Sequence, residues 1–414
     1  MVQLDKEIEN VVRRGVCAGC GACAWAFDGV DMGLSEEGYL RPQIDRRKTG
    51  GHSSADAQRF REFCPGVKVV SPDHAGAEID PVFGPLISVW KGYAADPELR
   101  FKGSSGGVIT AITAWLADEH SRVSLGVCQS RENASRTVPI AITSREDALR
   151  ASGSRYAPCS SVAGAGELDS SSAVVGKPCE AAALRQYYSA LRRPDDSPLL
   201  ISFLCAGTPS QHATDSLLEA SEVKLEYATR LDYRGDGWPG MFSADDSLGN
   251  HVEISYAESW GKHLGRRLQW RCKVCPHGTG DHADISVGDF WETDDKGFPN
   301  FTSRDGTSLV LARTARGHEL IQRAIREGIL CLQPADIRKA WQIQPLQTDR
   351  RLVLASRILG SRIGGRVAPR YYGFQLYKGA FRYPIRSVRA VLGSFLRARA
   401  TIRARSVLST KDLE

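Results

Sequence analysis

The sequence predicts a mixed α/β protein of the α+β class, with a small cysteine-rich module, a larger domain and a basic helical tail. Its 414 residues are too many for one ordinary core and indicate two or three domains. Apolar runs and helical stretches alternate over residues 86–345, a pattern typical of a sheet covered by helices. Four of the 11 cysteines lie in the first 75 residues, and 15 of the 54 Lys and Arg residues follow residue 349.

The overall composition is that of an ordinary globular protein, with 42% hydrophobic and 25% charged residues. The first residues, MVQLDKEIENVVRRG, lack the apolar stretch of a signal peptide, and no run of about 18 apolar residues predicts a membrane span. We therefore expect a cytoplasmic protein. The chain outside the tail is mildly acidic, so a general nucleic-acid binder is not expected.

The N-terminal module is expected to hold a metal cluster. Cys17, Cys20 and Cys23 follow the pattern CxxCxxC, in which three thiolates can wrap one corner of a cubane cluster. The position at which a two-cluster ferredoxin has its fourth cysteine holds phenylalanine. Cys64, which precedes a proline, is therefore expected to complete one 4Fe–4S cluster. A zinc site is the alternative, although zinc sites usually use CxxC pairs.

A linker rich in Pro and Gly, SPDHAGAEIDPVFGP, separates this ferredoxin-like module, residues 1–75, from the larger domain, residues 86–345. Strands of the larger domain are predicted in SAVVGK, PLLISFLC, ADISVGD and SLVLART. Helices are predicted in VITAITAWLADE, CEAAALRQYYSALRR and GHELIQRAIREG, whose apolar residues recur at helical spacing. The basic tail is residues 346–414.

A glycine-rich turn, KGSSGG, runs from Lys102 to Gly107 and leads into VITAITAWLADE. The unpaired N–H groups and positive dipole end of such a helix N-terminus suit the pyrophosphate of a dinucleotide. Ser105 is expected to cap the helix. The turn is neither GxGxxG nor a P-loop, and an ordinary capped helix after a glycine turn explains it equally well.

Four further cysteines lie where they could form a second metal site. Cys272 and Cys275 form a CxxC pair, which alone indicates half a metal site, a redox dithiol or coincidence. Cys179 and Cys205 each close an apolar run, at the strand-to-turn position where α/β folds place functional groups. Buried structural thiols explain these four cysteines equally well. The remaining three belong to no motif: Cys128, Cys159 and Cys331.

Two other glycine-punctuated loops are LDYRGDGWPG and ADISVGDFW, which carry Arg234, Trp238, Asp289 and Trp291. Turn formation alone can explain both loops, although the second follows directly on the CxxC pair. His277 and His282 could titrate near neutral pH, but we assign them no catalytic role. No catalytic residue is identified from the sequence.

The tail is predicted to contain an amphipathic helix after Pro384. Its apolar residues near helical spacing are Ile385, Val388, Leu392, Phe395 and Leu396. The arginines around them are Arg386, Arg389, Arg397, Arg399, Arg403 and Arg405. Such a helix can pack on the acidic body or a partner subunit, which we favour, or lie on an anionic lipid surface.

The order of these motifs resembles the coenzyme F420 hydrogenase/dehydrogenase beta-subunit family, which includes the F420-reducing hydrogenase beta subunit and the plant-type 7-hydroxymethyl chlorophyll a reductase. The matching motifs are CAGCGAC, WKGYAADPELRFKGSSGGVIT, VVGKPCEAAALR, FLCAGTPS, YRGDGWPG and CKVCPHGTGDHADISVGDFW. The resemblance covers roughly residues 15–330. It leaves the substrate undefined, because His277 stands where an acidic residue is common and residues 129–171 carry no recognisable motif.

The resemblance implies an iron–sulfur flavoprotein with FAD and two 4Fe–4S clusters. It implies that the second cluster is held by Cys179, Cys205, Cys272 and Cys275. The residues expected at the FAD are Lys102, Ser104, Ser105, Gly106 and Gly107 of the glycine-rich turn and Lys177 of the GKPC turn. Clusters pass single electrons, whereas a flavin accepts one or two and can transfer a hydride.

The expected function is an oxidoreductase that passes electrons from ferredoxin or a partner redox subunit to a small organic acceptor. Coenzyme F420 as co-substrate and a biosynthetic intermediate such as a sugar are both admissible acceptors. One alternative is a non-catalytic electron-transfer or scaffold subunit that docks a partner through its basic tail. Another is a zinc-binding structural protein, which would be colourless.

Overall fold

The structure, a computed structural model, describes residues 3–48, 52–290 and 305–411, with side chains up to residue 401. Trp291 lies outside these residues. The helices are α1 Gln3–Arg13, α2 Ala22–Ala26, α3 Ser54–Phe63, α4 Pro97–Lys102, α5 Val108–Asp118, α6 Arg145–Arg150, α7 Pro178–Ala190, α8 Gln211–Glu219, α9 Tyr256–Glu258, α10 Trp270–Lys273, α11 Ala315–Arg326, α12 Ile337–Ile343, α13 Pro345–Leu352, α14 Leu354–Ile363, α15 Leu376–Arg382 and α16 Pro384–Lys411. The strands are β1 Val30–Leu34, β2 Leu40–Ile44, β3 Lys68–Val70, β4 Glu78–Asp80, β5 Gly84–Leu86, β6 Ser88–Ala94, β7 Ser124–Gln129, β8 Thr137–Ile142, β9 Ala173–Gly176, β10 Leu199–Phe203, β11 Ala228–Asp232, β12 Met241–Asp246, β13 His251–Ser255, β14 Ile285–Asp289, β15 Ser308–Ala312, β16 Leu330–Pro334 and β17 Arg370–Tyr372.

An eight-stranded mixed sheet forms the centre of the larger domain, in the order β16-β6-β15-β14-β10-β9-β7-β8. The inner strands β7, β9, β10 and β14 are parallel, and the outer strands pair antiparallel. The four runs predicted as strands form β9, β10, β14 and β15, and the three predicted helices form α5, α7 and α11. The mixed α/β class predicted from the sequence is therefore confirmed.

Side chains of β10 divide the core between the two faces of this sheet. Leu199 and Ile201 pack with Ile112 of α5, whereas Leu200 packs with Leu184 of α7. This division follows from the alternation of side chains along a strand. Burial on both faces explains the continuous apolar sequence of this strand, and each fully buried side chain contributes about 1.5–3 kcal/mol.

The N-terminal part consists of α1, α2, α3 and the antiparallel hairpin of β1 and β2. A capping box starts α3: the Ser53 hydroxyl accepts from the Asp56 N–H, and the Asp56 carboxylate accepts from the Ser53 N–H. At the other end of α3, Phe63 packs edge-on against Tyr187 of α7, with ring centroids 5.4 Å apart. This aromatic contact joins the N-terminal part to the larger domain.

The tail packs on the rest of the molecule through helices and one strand. β17 pairs parallel with β3, and α16 lies along α14. Glycines on α14 permit a close approach, because a Cβ on Gly360 would lie 2.1 Å from the carbonyl oxygen of Val391. The helix predicted after Pro384 is present as α16.

The buried face of α16 differs from the amphipathic expectation. Ser387, Ser394 and Ala398 are buried, because small side chains allow the close contact with α14. The apolar stripe is exposed instead, with relative exposures between 58% and 71%, and consists of Ile385, Val388, Leu392 and Leu396. Within the described residues, no helix combines the length and apolar character that a bilayer crossing requires.

Candidate functional site

A cavity of about 230 Å³ opens at the carboxyl ends of the parallel strands β9, β10 and β14. Open α/β sheets bind ligands at this edge. Lys177 follows β9, residues 204–209 follow β10, and Asp289 ends β14. The N-terminus of α5 forms another wall. Motifs that are far apart in the sequence therefore meet at one cavity.

The glycine-rich turn ends in Gly107, which is the N-cap of α5 and has a φ of 71°. No side chain caps this helix. The expectation that Ser105 caps it was wrong, because the Ser105 hydroxyl donates to the carbonyl oxygen of Thr307 at 2.9 Å. A Cβ on Gly107 would lie 2.3 Å from the carbonyl oxygen of Leu99, so the tight turn requires glycine. The first residue of the helix, Val108, lines the cavity, which brings the positive end of the dipole to its wall.

Gly106 lies behind this wall, against the central sheet. Its N–H donates to the Ser308 hydroxyl at 2.9 Å, and a Cβ on Gly106 would lie 2.6 Å from the carbonyl oxygen of Gly92. Gly106 therefore positions the turn through its contact with the sheet.

Ser104 and Lys102 lie on different sides of the same turn. Ser104 lines the cavity, and its hydroxyl accepts a hydrogen bond from the Ser154 hydroxyl at 2.7 Å. Lys102 ends α4 and pairs with Asp236 at 2.8 Å. Its side chain is about half exposed and is not part of the described cavity lining.

Lys177 brings a fixed positive charge to the cavity. Its ammonium lies 3.1 Å from Oε1 of Glu180 and donates to the carbonyl oxygen of Cys159. Glu180 is fully buried and also accepts from the N–H groups of Lys177 and Ser161 at 2.6 and 2.9 Å. Burial lowers the pKa of Lys177, but the Glu180 carboxylate and the thiols of Cys179 and Cys159 together outweigh burial and raise this pKa above its ordinary value.

A wall of the cavity comes from residues 151–161, where the sequence shows no recognisable motif. Arg155 and Tyr156 line it, and Arg155 donates to the carbonyl oxygen of Leu231 at 2.5 Å. Burial lowers the pKa of Arg155. The segment reads ASGSRYAPCSS, and its small residues signal only a turn-rich stretch, so sequence reasoning missed this wall.

The two glycine-punctuated loops meet in a buried ion pair. Arg234 binds Asp289 through both guanidinium ends, at 2.8 and 3.2 Å, and only 3% of the Arg234 side chain is exposed. Burial lowers the pKa of Arg234, but the carboxylate outweighs burial and raises it. Trp238 lies against the guanidinium, with its ring centroid at 4.9 Å. Both members of the pair line the cavity.

The four N-terminal cysteines surround one small cavity of about 20 Å³, namely Cys17, Cys20, Cys23 and Cys64. The N–H of Gly19 donates to Sγ of Cys17 at 3.4 Å. Burial, together with neighbouring thiols, raises the pKa of Cys20 to about 12 and also raises those of Cys23 and Cys64. Thiols buried in this way ionise only when a cation compensates their charge.

The second group of cysteines lies at the base of the larger cavity. Cys205 lines that cavity, and burial followed by the nearby Cys272 thiol raises its pKa to about 12. The N–H of Thr208 donates to Sγ of Cys272 at 3.4 Å. Cys275 also contributes to the raised pKa of Cys205.

Cys179 lies between the two groups. Burial raises its pKa, and the thiols of Cys20 and Cys205, one from each group, raise it further. Within the described residues, no three His, Cys, Asp or Glu side chains stand at metal-binding geometry. The donor set nevertheless fits iron–sulfur clusters, because one half-buried sulfur in each group, that of Cys17 and that of Cys272, accepts a backbone N–H.

Gln269 and Arg271 connect the two cysteine groups. Gln269 donates to the carbonyl oxygen of Ala18 at 2.9 Å, and Arg271 donates to that of Pro65 at 3.3 Å. Arg271 is 2% exposed, and its Nε has no hydrogen-bond partner among the described residues. A buried cation therefore lies near the thiols of Cys179, Cys272 and Cys275 and is bonded to the loop that follows Cys64, although its sequence context gave no signal.

Helix α13, assigned to the tail from the sequence, covers the second cysteine group. Gln347 and Arg350 donate to the carbonyl oxygen of Cys205 at 3.1 and 2.6 Å. Arg351 donates to the carbonyl oxygen of Pro276 and pairs with Asp281 at 3.3 Å. The start of the tail is therefore part of the candidate site.

His277 and His282 are buried away from the cavity lining. His282 has Nε2 2.8 Å from the carbonyl oxygen of Val70, and burial lowers its pKa to about 3. Burial also lowers the pKa of His277. Both rings are therefore neutral near pH 7.

Two sequence profiles match most of the larger domain. They are the coenzyme F420 hydrogenase/dehydrogenase beta subunit N-terminal profile, at residues 89–165, and the C-terminal profile of the same subunit, at residues 169–338. The N-terminal cysteine group and the whole tail, residues 346–414, lie outside these ranges.

Individual relatives agree with the profiles. The chain is 24% identical over 241 residues to the F420-dependent formate dehydrogenase 1 subunit beta of Methanococcus maripaludis. This alignment covers 57% of the present chain and 58% of the relative. The chain is 23% identical over 267 residues to the coenzyme F420 hydrogenase subunit beta of Methanosarcina barkeri, covering 62% of this chain and 85% of the relative. The chain thus spans less than two thirds of the formate dehydrogenase subunit.

A solved structure shares the fold. A chain of the F420-reducing NiFe hydrogenase complex from Methanosarcina barkeri superposes with a TM-score of 0.50 and 20% sequence identity. The match covers 68% of this chain and 95% of the hydrogenase chain.

Proposed function

The chain belongs to the coenzyme F420 hydrogenase/dehydrogenase beta-subunit family, and from this premise we propose that it is an electron-transfer subunit of an F420-linked oxidoreductase. We propose that FAD binds in the 230 Å³ cavity and that a 4Fe–4S cluster binds at each cysteine group. When bound, the clusters would supply one-electron transfer, and the flavin would supply one- or two-electron and hydride transfer. The observation that carries this proposal is the convergence of the glycine-rich turn, the GKPC turn and Cys205 on one cavity.

The walls of the cavity suit a ligand with an aromatic ring and a pyrophosphate. The uncapped N-terminus of α5 and the fixed charge of Lys177 favour phosphate oxygens. Ser104 adds a hydroxyl, and Ile109, Val127 and Val287 supply apolar contacts. The Arg234–Asp289 pair closes one side, which restricts access of water.

The relatives are named as F420-dependent subunits, and we propose that coenzyme F420 is the organic electron carrier of this chain. A partner redox subunit, or ferredoxin, would exchange electrons at the N-terminal cysteine group. A biosynthetic intermediate is the second candidate for the acceptor, because the matched ranges end at residue 338 and do not include α13, which covers the Cys205 loop.

The exposed stripe of α16 supports a peripheral role for the tail. No acidic residue occurs between positions 350 and 411, and arginines flank the apolar stripe. An apolar strip bordered by cations is complementary to an anionic lipid surface, which we propose as its occupant.

The cofactor content tests this proposal. We expect about eight iron, eight sulfide and one flavin per chain after purification without oxygen. Cys20→Ser and Cys205→Ser should each lose about four iron atoms, because each removes a ligand from a different cluster. Cys331→Ser, which changes an exposed cysteine, is the matched control and should keep full iron content. Zinc in place of iron, or the absence of flavin, would contradict the proposal.

Coenzyme F420 is tested separately. Reduced F420 mixed anaerobically with the oxidised protein should bleach the flavin absorbance. A flavin that stays oxidised would exclude F420 while leaving the cofactor assignment intact. Turnover by the isolated chain would exclude a purely scaffolding subunit.

A further inference from the structure

A second cavity, of about 220 Å³, lies where α10, α14 and α16 meet. Its lining consists of Trp270, Lys273, Arg357, Ser361, Ser394 and Arg397. Half of these residues are cations and none is acidic. Four of the six belong to the tail, outside the residues matched by the family profiles.

Within the part of the chain that the structure describes, no cation of this cavity forms an ion pair. Lys273 and Arg357 are half-buried, and neither side chain has a hydrogen-bond or ion-pair partner among the described residues. Burial, together with the nearby Arg350 and Arg397, lowers the pKa of Arg357 to about 10. Asp349 offsets part of this repulsion, but it pairs with an arginine outside the cavity at 3.4 Å. Partly buried cations that face one another without an acid indicate an anionic ligand.

We propose that this cavity binds a phosphate-bearing anion. Arginine guanidinium groups present paired N–H donors that match phosphate oxygens, and the three cations more than compensate the two charges of a phosphate dianion. Ser394 accepts a hydrogen bond from Arg397 at 3.2 Å, which leaves its own hydroxyl hydrogen for the ligand. The Ser361 hydroxyl donates to the carbonyl oxygen of Arg357 at 2.7 Å. Ser361 therefore lines the cavity but does not donate a hydrogen bond to the ligand.

The cavity exceeds what one inorganic phosphate fills, and Trp270 supplies an apolar wall. A phosphate monoester with an attached organic group therefore fits better than a bare ion. Two sources share this chemistry, a soluble phosphoester and the headgroup of a lipid. This site does not depend on the electron-transfer function proposed above.

The direct test is titration of the complete, anaerobically purified protein with inorganic phosphate by calorimetry in phosphate-free buffer. The wild type should bind one phosphate per chain, and Arg357→Gln should weaken binding by about tenfold or more, because it removes a charge-assisted hydrogen bond. Arg389→Gln changes an exposed arginine of the same tail outside the cavity lining and should bind like the wild type. No binding by the wild type, or equal binding by Arg357→Gln, would overturn the proposal.

Thermal stability separates ligand binding from a structural role of Arg357. Without phosphate, Arg357→Gln should be at least as stable as the wild type, because it removes like-charge repulsion. With saturating phosphate only the wild type should gain stability. If Arg357→Gln is less stable than the wild type by the same amount with and without phosphate, the proposed site is refuted. Arg397→Gln, at an exposed position, repeats the test if the first variant does not fold.

Vesicles identify the source of the phosphate. We would measure binding to phosphatidylcholine vesicles that contain phosphatidic acid. Binding that Arg357→Gln weakens and that free phosphate competes away assigns the site to a lipid headgroup. If Arg357→Gln loses phosphate binding but binds vesicles like the wild type, the site is assigned to a soluble phosphoester.

Discussion

At the residue scale, Arg271 combines almost complete burial with a position near the second group of thiols and a hydrogen bond to Pro65, the neighbour of Cys64. The Tyr371 ring lies 5.6 Å from its guanidinium, and the thiols of Cys179, Cys272 and Cys275 help to raise its pKa although burial lowers it. A buried cation is tolerated when negative charge surrounds it. Clusters ligated by thiolates would supply that charge.

We predict that Arg271→Gln lowers the reduction potential of the clusters by tens of millivolts, because the cation favours the reduced, more negative state. Redox titration followed by electron paramagnetic resonance measures this potential. Arg271→Lys should retain most of the wild-type value, since it keeps the charge. Unchanged potentials in Arg271→Gln would show that the guanidinium only supports packing.

Single residues differ in how far their role could be foreseen. The cysteines were identified because CxxCxxC and CxxC spacings are typical of metal ligands. The sequence did not identify Arg271, Arg155 or Glu180 as site residues. A single buried polar residue leaves no periodic pattern, and its role depends on residues that are distant in the sequence. Ser105 failed as a cap because the turn directs its hydroxyl to Thr307.

At the scale of elements, α16 shows what helical periodicity can and cannot predict. The spacing of apolar residues predicted the helix, and the structure contains it. The face that packs was not predictable from that spacing, because the contact depends on Gly360 of the neighbouring helix. The close approach selects small side chains and leaves the large apolar ones exposed.

The exposed stripe leads to a prediction about membranes. Leu392→Asp should weaken binding to phosphatidylglycerol vesicles by about tenfold, because insertion of one leucine contributes roughly 1.5–3 kcal/mol. Cosedimentation measures the effect. Leu248→Asp is the control, since Leu248 is 60% exposed on a distant turn. An equal loss of vesicle binding in both variants would contradict a specific lipid-binding role of α16. Binding of the wild type to neutral vesicles alone would also contradict it.

At the scale of the whole molecule, Asp284 ties together three elements of the larger domain. Its carboxylate pairs with Arg185 of α7 at 3.0 Å and Arg316 of α11 at 2.6 Å, and accepts the N–H of Leu200 in β10 at 2.8 Å. Burial raises the pKa of Asp284, but the two guanidinium groups outweigh burial and lower it to about 2. The ionised carboxylate therefore stabilises the fold.

We predict that Asp284→Asn lowers the free energy of unfolding at pH 7 by about 3–5 kcal/mol, because it leaves buried cations without their partner. The folded pKa lies below the unfolded value, so this stabilisation is present above about pH 4 and is lost as the pH falls towards 2. Urea denaturation at several pH values measures it. Asp195→Asn, at an exposed aspartate, should change little, and a pH-independent difference for Asp284→Asn would contradict the linkage.

The larger domain was predictable at the level of strands and helices because its central strands are buried on both faces and read as continuous apolar runs. The boundary between this domain and the tail was harder to foresee. Arg350 looks like part of a basic solvent-exposed segment in the sequence, yet it donates to the carbonyl oxygen of Cys205. Contacts between distant segments, rather than local pattern, define the site.

The position of α13 also determines how the second cysteine group can be reached. Arg350 donates to the carbonyl oxygen of Cys205, and Arg351 donates to that of Pro276, the neighbour of Cys275. While α13 is docked, it covers both loops. If a cluster binds there as proposed, an iron donor would reach the thiols most easily while α13 is undocked, and docking would then enclose the cluster.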